Sequence, residues 1–122
     1  MSELFSLIDD KFSKEHNEQQ WTYSLHFNLV FNKRIIKYLT VTDYTWTKKG
    51  RETITKELII NIFKEALNEA ILAPEPKKNP HWKRDHFVPQ RIPFDDKKYK
   101  LVFWFKDGTD NHLWVKNCHQ QD

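Results

Sequence analysis

Trp21-Thr22-Tyr23-Ser24-Leu25-His26-Phe27-Asn28-Leu29-Val30-Phe31 sets rings and aliphatic chains at odd positions against smaller or polar residues. A period of two places every odd side chain on one face of an extended strand, so this stretch predicts a half-buried β-strand. Asn32 and Lys33 follow, then a second β-rich run from Ile35 to Thr42. Together they predict a hairpin. Its register stays open. A three-residue loop, Asn32 to Arg34, sets Ile35, Leu39 and Val41 beside the apolar face of the first strand. A two-residue loop sets Ile36, Tyr38 and Thr40 there. The first is preferred, since one slip turns a whole face over.

Upstream, Leu4, Leu7, Ile8 and Phe12 fall at helical spacing. They predict a short amphipathic N-terminal helix over 3–14. Polar residues 16–20 complete an N-terminal unit, 1–20, as its connector. Downstream, residues 43–53 form a polar bend that leads into a helix. Thr55 suits the N-cap, Glu57 the first turn, and Ile54 with Ile59 a hydrophobic staple. Leu58, Ile59, Ile62, Phe63, Ala66, Leu67, Ala70 and Ile71 give that long helix a broad apolar face, ended by Pro74 and Pro76.

All five prolines lie between Pro74 and Pro93. Residues 74–98 therefore read as a proline-rich basic loop. A short edge strand within it, roughly Phe87 to Ile92, is compatible with proline on an edge. Tyr99 to Lys106 predicts a central strand covered on both faces. Asp107-Gly108-Thr109-Asp110 is a turn signal, and Asn111 to His119 a returning strand. The expected fold class is α+β. An antiparallel sheet of four to five strands carries one long helix on a face, with a short N-terminal helix beside it.

The chain has 122 residues, enough for a single domain, 1–122. Only 39% of residues are apolar, but 15% are aromatic, and large rings bury much area each. No run of 18 apolar residues or basic-then-apolar leader is present, so no membrane span or signal peptide is expected. One cysteine, Cys118, rules out an internal disulfide and a cysteine-rich zinc site. Cytoplasmic localisation is the resulting expectation. Two glycines, Gly50 and Gly108, exclude phosphate-cradling glycine loops and dinucleotide fingerprints. No cofactor and no metal are expected. The net charge of +3 is modest, so where the charge sits matters more than its sum.

Three groupings carry candidate chemistry. Lys77, Lys78, Lys83, Arg84 and Arg91, interleaved with Trp82 and near His86, suit single-stranded nucleic acid, because cations attract phosphates and rings stack on bases. A solvated loop is the alternative. His81, His86, His112 and His119 could move protons near neutrality, as cleavage of RNA requires. The bend 42–51 brings Lys48, Lys49 and Arg51 to a helix start that would welcome an anion. Cys118 and His119, adjacent on a strand, point to opposite faces, so Cys118 reads as a buried, inert thiol.

Several stretches resemble small bacterial toxin ribonucleases of the RelE/BrnT-like class, within the barnase/colicin/RelE grouping. They are Trp21-Thr22-Tyr23-Ser24-Leu25, residues 38–44, residues 54–60, Tyr99-Lys100-Leu101-Val102 and Val115-Lys116-Asn117-Cys118-His119. The likeness covers about two thirds of the chain, from Trp21 onward. It implies a metal-independent endoribonuclease with Tyr44, Lys49, Arg51 and His119 as catalytic positions. Tyr44 or His119 would act as general base or acid. RNA and a cognate antitoxin or immunity protein would be its partners. Where those families carry His, this chain has Tyr44. Where they end Asn-x-Tyr/Phe-Arg, it has Asn117-Cys118-His119-Gln120. These departures favour the alternative function, a non-catalytic module for single-stranded nucleic acid or a protein partner.

Overall fold

The structure is a computed structural model and describes residues 4–47, 53–76 and 84–121. Its strands are β1 (Phe5–Ser13), β2 (Glu18–Phe31), β3 (Arg34–Thr42), β4 (Ile92–Phe94), β5 (Lys97–Phe105) and β6 (His112–Gln121). A 3-10 turn, Asp43–Thr47, follows β3, and α1 spans Lys56–Glu65. The strands form one sheet in the order β1-β2-β3-β6-β5-β4. All neighbouring pairs are antiparallel except β3 with β6, which run parallel at the centre. The expected antiparallel sheet of four to five strands is thus corrected to a six-stranded mixed sheet. Two antiparallel meanders meet through a parallel pair distant in sequence.

The N-terminal helix is also corrected. Residues 5–13 are an edge strand paired with β2, and β2 itself begins at Glu18, inside the expected connector. A bulge between Leu7 and Asp9 explains the misleading spacing. One extra residue shifts the phase of a strand, so Leu7 and Phe12, five apart, share a face.

The hairpin resolves its register through a similar device. Phe31 pairs with Arg34, so the loop has two residues. Asn32 and Lys33 both have positive φ (50° and 64°), the backbone that matches strand twist in tight hairpins. The preferred three-residue loop is therefore wrong, and Ile36 rather than Ile35 enters the core. The amides of Lys37 and Tyr38 then both donate to the Asn111 carbonyl. This irregularity switches phase again, and Leu39 and Val41 are buried as well.

The Thr55 side chain accepts from the Leu58 amide at 3.0 Å, capping α1 as expected, and Ile54 and Ile59 are both buried. The helix is short, however. It stops at Glu65, not near Pro74. Beyond it, Asn68 Oδ1 accepts from the Val30 amide, the Glu69 amide donates to the Val30 carbonyl, and Asn32 N–H donates to the Ala70 carbonyl. Residues 68–72 lie along β2, so pairing with the sheet replaces further helical turns.

The core lies between α1 and one face of the sheet. Phe103 stacks edge-on against Phe63 of α1 and Phe31 of β2, with centroids 5.0 and 5.2 Å apart. Phe87 exchanges both backbone bonds with Phe103, and Pro89 accepts from Leu101. The end of the proline-rich stretch therefore runs along the outer edge of β5, and β4 continues it. Cys118 is fully buried.

Candidate nucleic-acid interface

On β5 the odd residues Tyr99, Leu101 and Phe103 are buried against the helix side. The even residues Lys98, Lys100, Val102 and Trp104 therefore take the other face, with Lys106 just beyond the strand. The expected double coverage of this strand is corrected: Val102 and Trp104 are only half-buried. Across the ladder, Lys98 pairs with Gln121, Lys100 with His119, Val102 with Asn117 and Trp104 with Trp114. Directly opposed residues share a face. The open face of β5 and β6 thus carries lysines, a histidine and two tryptophans, and no carboxylate.

A cleft opens where the Trp104–Trp114 end of this face meets β1 and β2. It encloses about 620 Å³ and is lined by Lys11, Phe12, Trp104, Lys106, Trp114 and Lys116, among others. Its floor is polar and ordered. Lys116 donates to Glu18 Oε2 at 3.0 Å, and Gln20 donates to Glu18 Oε1 at 3.1 Å. This cage allows a nearly buried Glu18 carboxylate to persist away from water. Beside it the hydroxyls of Thr22 and Thr40 lie 2.7 Å apart, and Thr40 Oγ1 lies 2.7 Å from His112 Nε2. Burial, with nearby Lys106, holds the His112 imidazole down at about 4, so it is neutral at pH 7.

Two of the loop residues expected to bind nucleic acid converge here. The His86 ring lies 4.8 Å from Trp104 at 30°, and the Arg84 guanidinium sits 5.1 Å from the same indole. Arg84 also donates to Asp107 at 2.7 Å. Arg91 is elsewhere, exposed just before β4, with its backbone amide donating to the Gln121 side chain. Lys77, Lys78, Trp82 and Lys83 lie outside the described residues, as does His81.

The catalytic candidates divide similarly. The 3-10 turn is fixed to β6: the Cys118 amide donates to Thr45 Oγ1 at 3.0 Å. Tyr44, on that turn, holds the Lys116 ammonium 4.6 Å from its ring centre. His119 stands opposite Lys100. Lys49 and Arg51, and Lys48 with them, lie outside the described residues.

No family model, curated protein or solved structure matches this chain.

The resemblance to toxin ribonucleases therefore rests on its short motifs. Among the described residues, no three His, Cys, Asp or Glu side chains gather in a metal-binding group, and no helix is long and apolar enough to cross a membrane.

Sequence reasoning missed Trp104, Trp114, Lys11, Lys106 and Lys116. A signal for part of this set was present. In residues 98–106 the even positions hold Lys98, Lys100, Trp104 and Lys106, and the odd ones hold only rings and Leu101. That alternation marks a strand with one open face, but the unbroken apolar centre, residues 101–105, conceals it.

Proposed function

We propose that this protein binds single-stranded nucleic acid on the open face of its sheet. The carrying observation is the Trp104–Trp114 pair, half-exposed on that face beside Lys11 and Lys106. Neither lysine makes an ion pair among the described residues. Indoles stack on unpaired bases, and unneutralised ammonium groups take up phosphates. Stacking needs splayed bases, so the reading favours single strands over duplex. Sugars also stack on tryptophan, but a neutral glycan would bind with little salt dependence.

Fluorescence anisotropy with labelled single-stranded RNA and DNA tests this. Salt-sensitive binding, stronger for single strands than duplex, is expected. No binding at low salt would overturn it.

A second reading is metal-independent RNA cleavage of the toxin type. His119 opposite Lys100, and Tyr44 beside Lys116, favour it because both pairs border the same stretch of β6. One group would take the 2′-hydroxyl proton while the other gives a proton to the leaving 5′-oxygen. A nearby ammonium would offset charge on the phosphate. Incubation with RNA in EDTA, followed on a gel, separates the readings. Cleavage by the wild type that is lost in His119→Ala supports catalysis; intact RNA that is still retained by the protein supports binding alone.

A further inference from the structure

We propose that two copies of the chain pair through the outer edges of their β1 strands, forming a twofold dimer with one continuous twelve-stranded sheet. β1 bonds to β2 on one side only, and among the described residues nothing pairs with its other edge. Leu7, Ile8 and Phe12 on this strand are 51%, 54% and 54% exposed. A nine-residue edge that carries unpaired backbone groups and exposed apolar side chains is a template for another strand.

The sequence of the edge indicates that the partner is a second copy. A twofold interface must be self-complementary. Antiparallel pairing about an axis through Asp10 sets Asp9 opposite the partner's Lys11 and Lys11 opposite the partner's Asp9. The same register sets Ile8 opposite the partner's Phe12, again twice. Moving it by one residue one way sets Asp9 against Asp10; the other way it opposes Asp10 to Lys11 but sets Asp9 against Phe12 and Ile8 against Ser13. Moving it by two opposes Asp9 to itself or Lys11 to itself. Faces agree as well. Asp9 and Lys11 pair with Thr22 and Gln20 on the open side, so the opposed charges share that side. The cost is Asp10 facing its own copy on the axis, eased by the Gln19 amide that donates to Asp10. The Leu7–Asp9 bulge and the charges are features that often protect an edge from pairing. Here the charges have opposite signs and match across the axis.

The twofold stands perpendicular to the sheet, so both open faces look the same way. Lys11 and Phe12 line the cleft and border this edge. The dimer would join two clefts into one longer track; that consequence rests on the proposed function, while the dimer itself does not.

Sedimentation equilibrium on the full chain tests the proposal. The wild type should approach twice its 14.9 kDa mass with rising concentration. Asp9→Lys alone and Lys11→Asp alone should each weaken dimerisation at least about tenfold, because each opposes like charges twice. An equimolar mixture of the two variants should recover the dimer, since each supplies the charge the other needs. Unchanged circular dichroism and a cooperative melt would show that both variants fold. A wild type that stays monomeric at its solubility limit would overturn the proposal. Single variants that dimerise like wild type, or a mixture that does not associate, would also overturn it. Nucleic-acid binding measured on the wild type, below and above the concentration at which it dimerises, reports separately on the proposed function.

Discussion

Trp104 on β5 and Trp114 on β6 stand directly opposite each other across the antiparallel ladder, on the face away from α1. Their sequence neighbours Phe103 and Val115, also paired, are fully buried on the α1 side. One ladder therefore serves two surfaces: a dry core and a half-exposed aromatic platform.

Trp114→Ala should weaken binding of single-stranded RNA by about 1–3 kcal/mol, the range for loss of one base-stacking platform. Trp114→Phe should retain most of the affinity, because a ring remains. Anisotropy titrations at fixed salt measure both. Equal losses in the two variants would argue that the indole acts through packing instead.

Lys106→Gln and Lys11→Gln should each flatten the dependence of log affinity on log salt by about 0.7, one released counterion on a single strand. Repeating the titration across a salt series checks this. Neither side chain is in an ion pair among the described residues of one chain, so in the monomer their removal leaves no carboxylate unpaired.

Acid should destabilise the fold through His112. The unfolded imidazole takes a proton near 6.5, the folded one only near 4. Between those values the unfolded state binds more protons, so stability rises with pH. This contribution is complete above about 6.5. It shrinks by about 3 kcal/mol as pH falls to 4. Urea melts across that window should be steeper with pH for wild type than for His112→Gln, which does not titrate and can still bond to Thr40.

Asn68→Ala should cost about 1–3 kcal/mol, since it strips the Val30 amide of its acceptor and the Asn28 carbonyl of its donor. Chemical denaturation measures it. A negligible loss would mean that residues 68–72 are not fixed to β2 by this side chain.

Thr55→Ala should cost about 1 kcal/mol by freeing the Leu58 amide at the start of α1. The same denaturation series measures it. The comparison with Asn68→Ala separates what starts the helix from what replaces its later turns.

Local chemistry determined several features by sequence alone. The alternation from Trp21 to Phe31 determined β2, because a period of two is a property of the extended chain itself. Thr55 determined where α1 begins, because a cap needs only the amide three residues on. The turn signal at 107–110 and the buried Cys118 were legible for the same local reason.

Tertiary structure decided the rest. Leu4, Leu7, Ile8 and Phe12 fit a helical stripe, but pairing with β2 made residues 5–13 a bulged strand. The helix ends at Glu65 because β2 offered Asn68 and its successors backbone partners that helical periodicity does not reveal. The parallel contact of β3 with β6 joins Tyr38 to His112, residues whose meeting no local pattern encodes. The proposed binding platform depends on that contact. Only with the two meanders joined do Lys11 and Trp104, from distant parts of the chain, line one cleft.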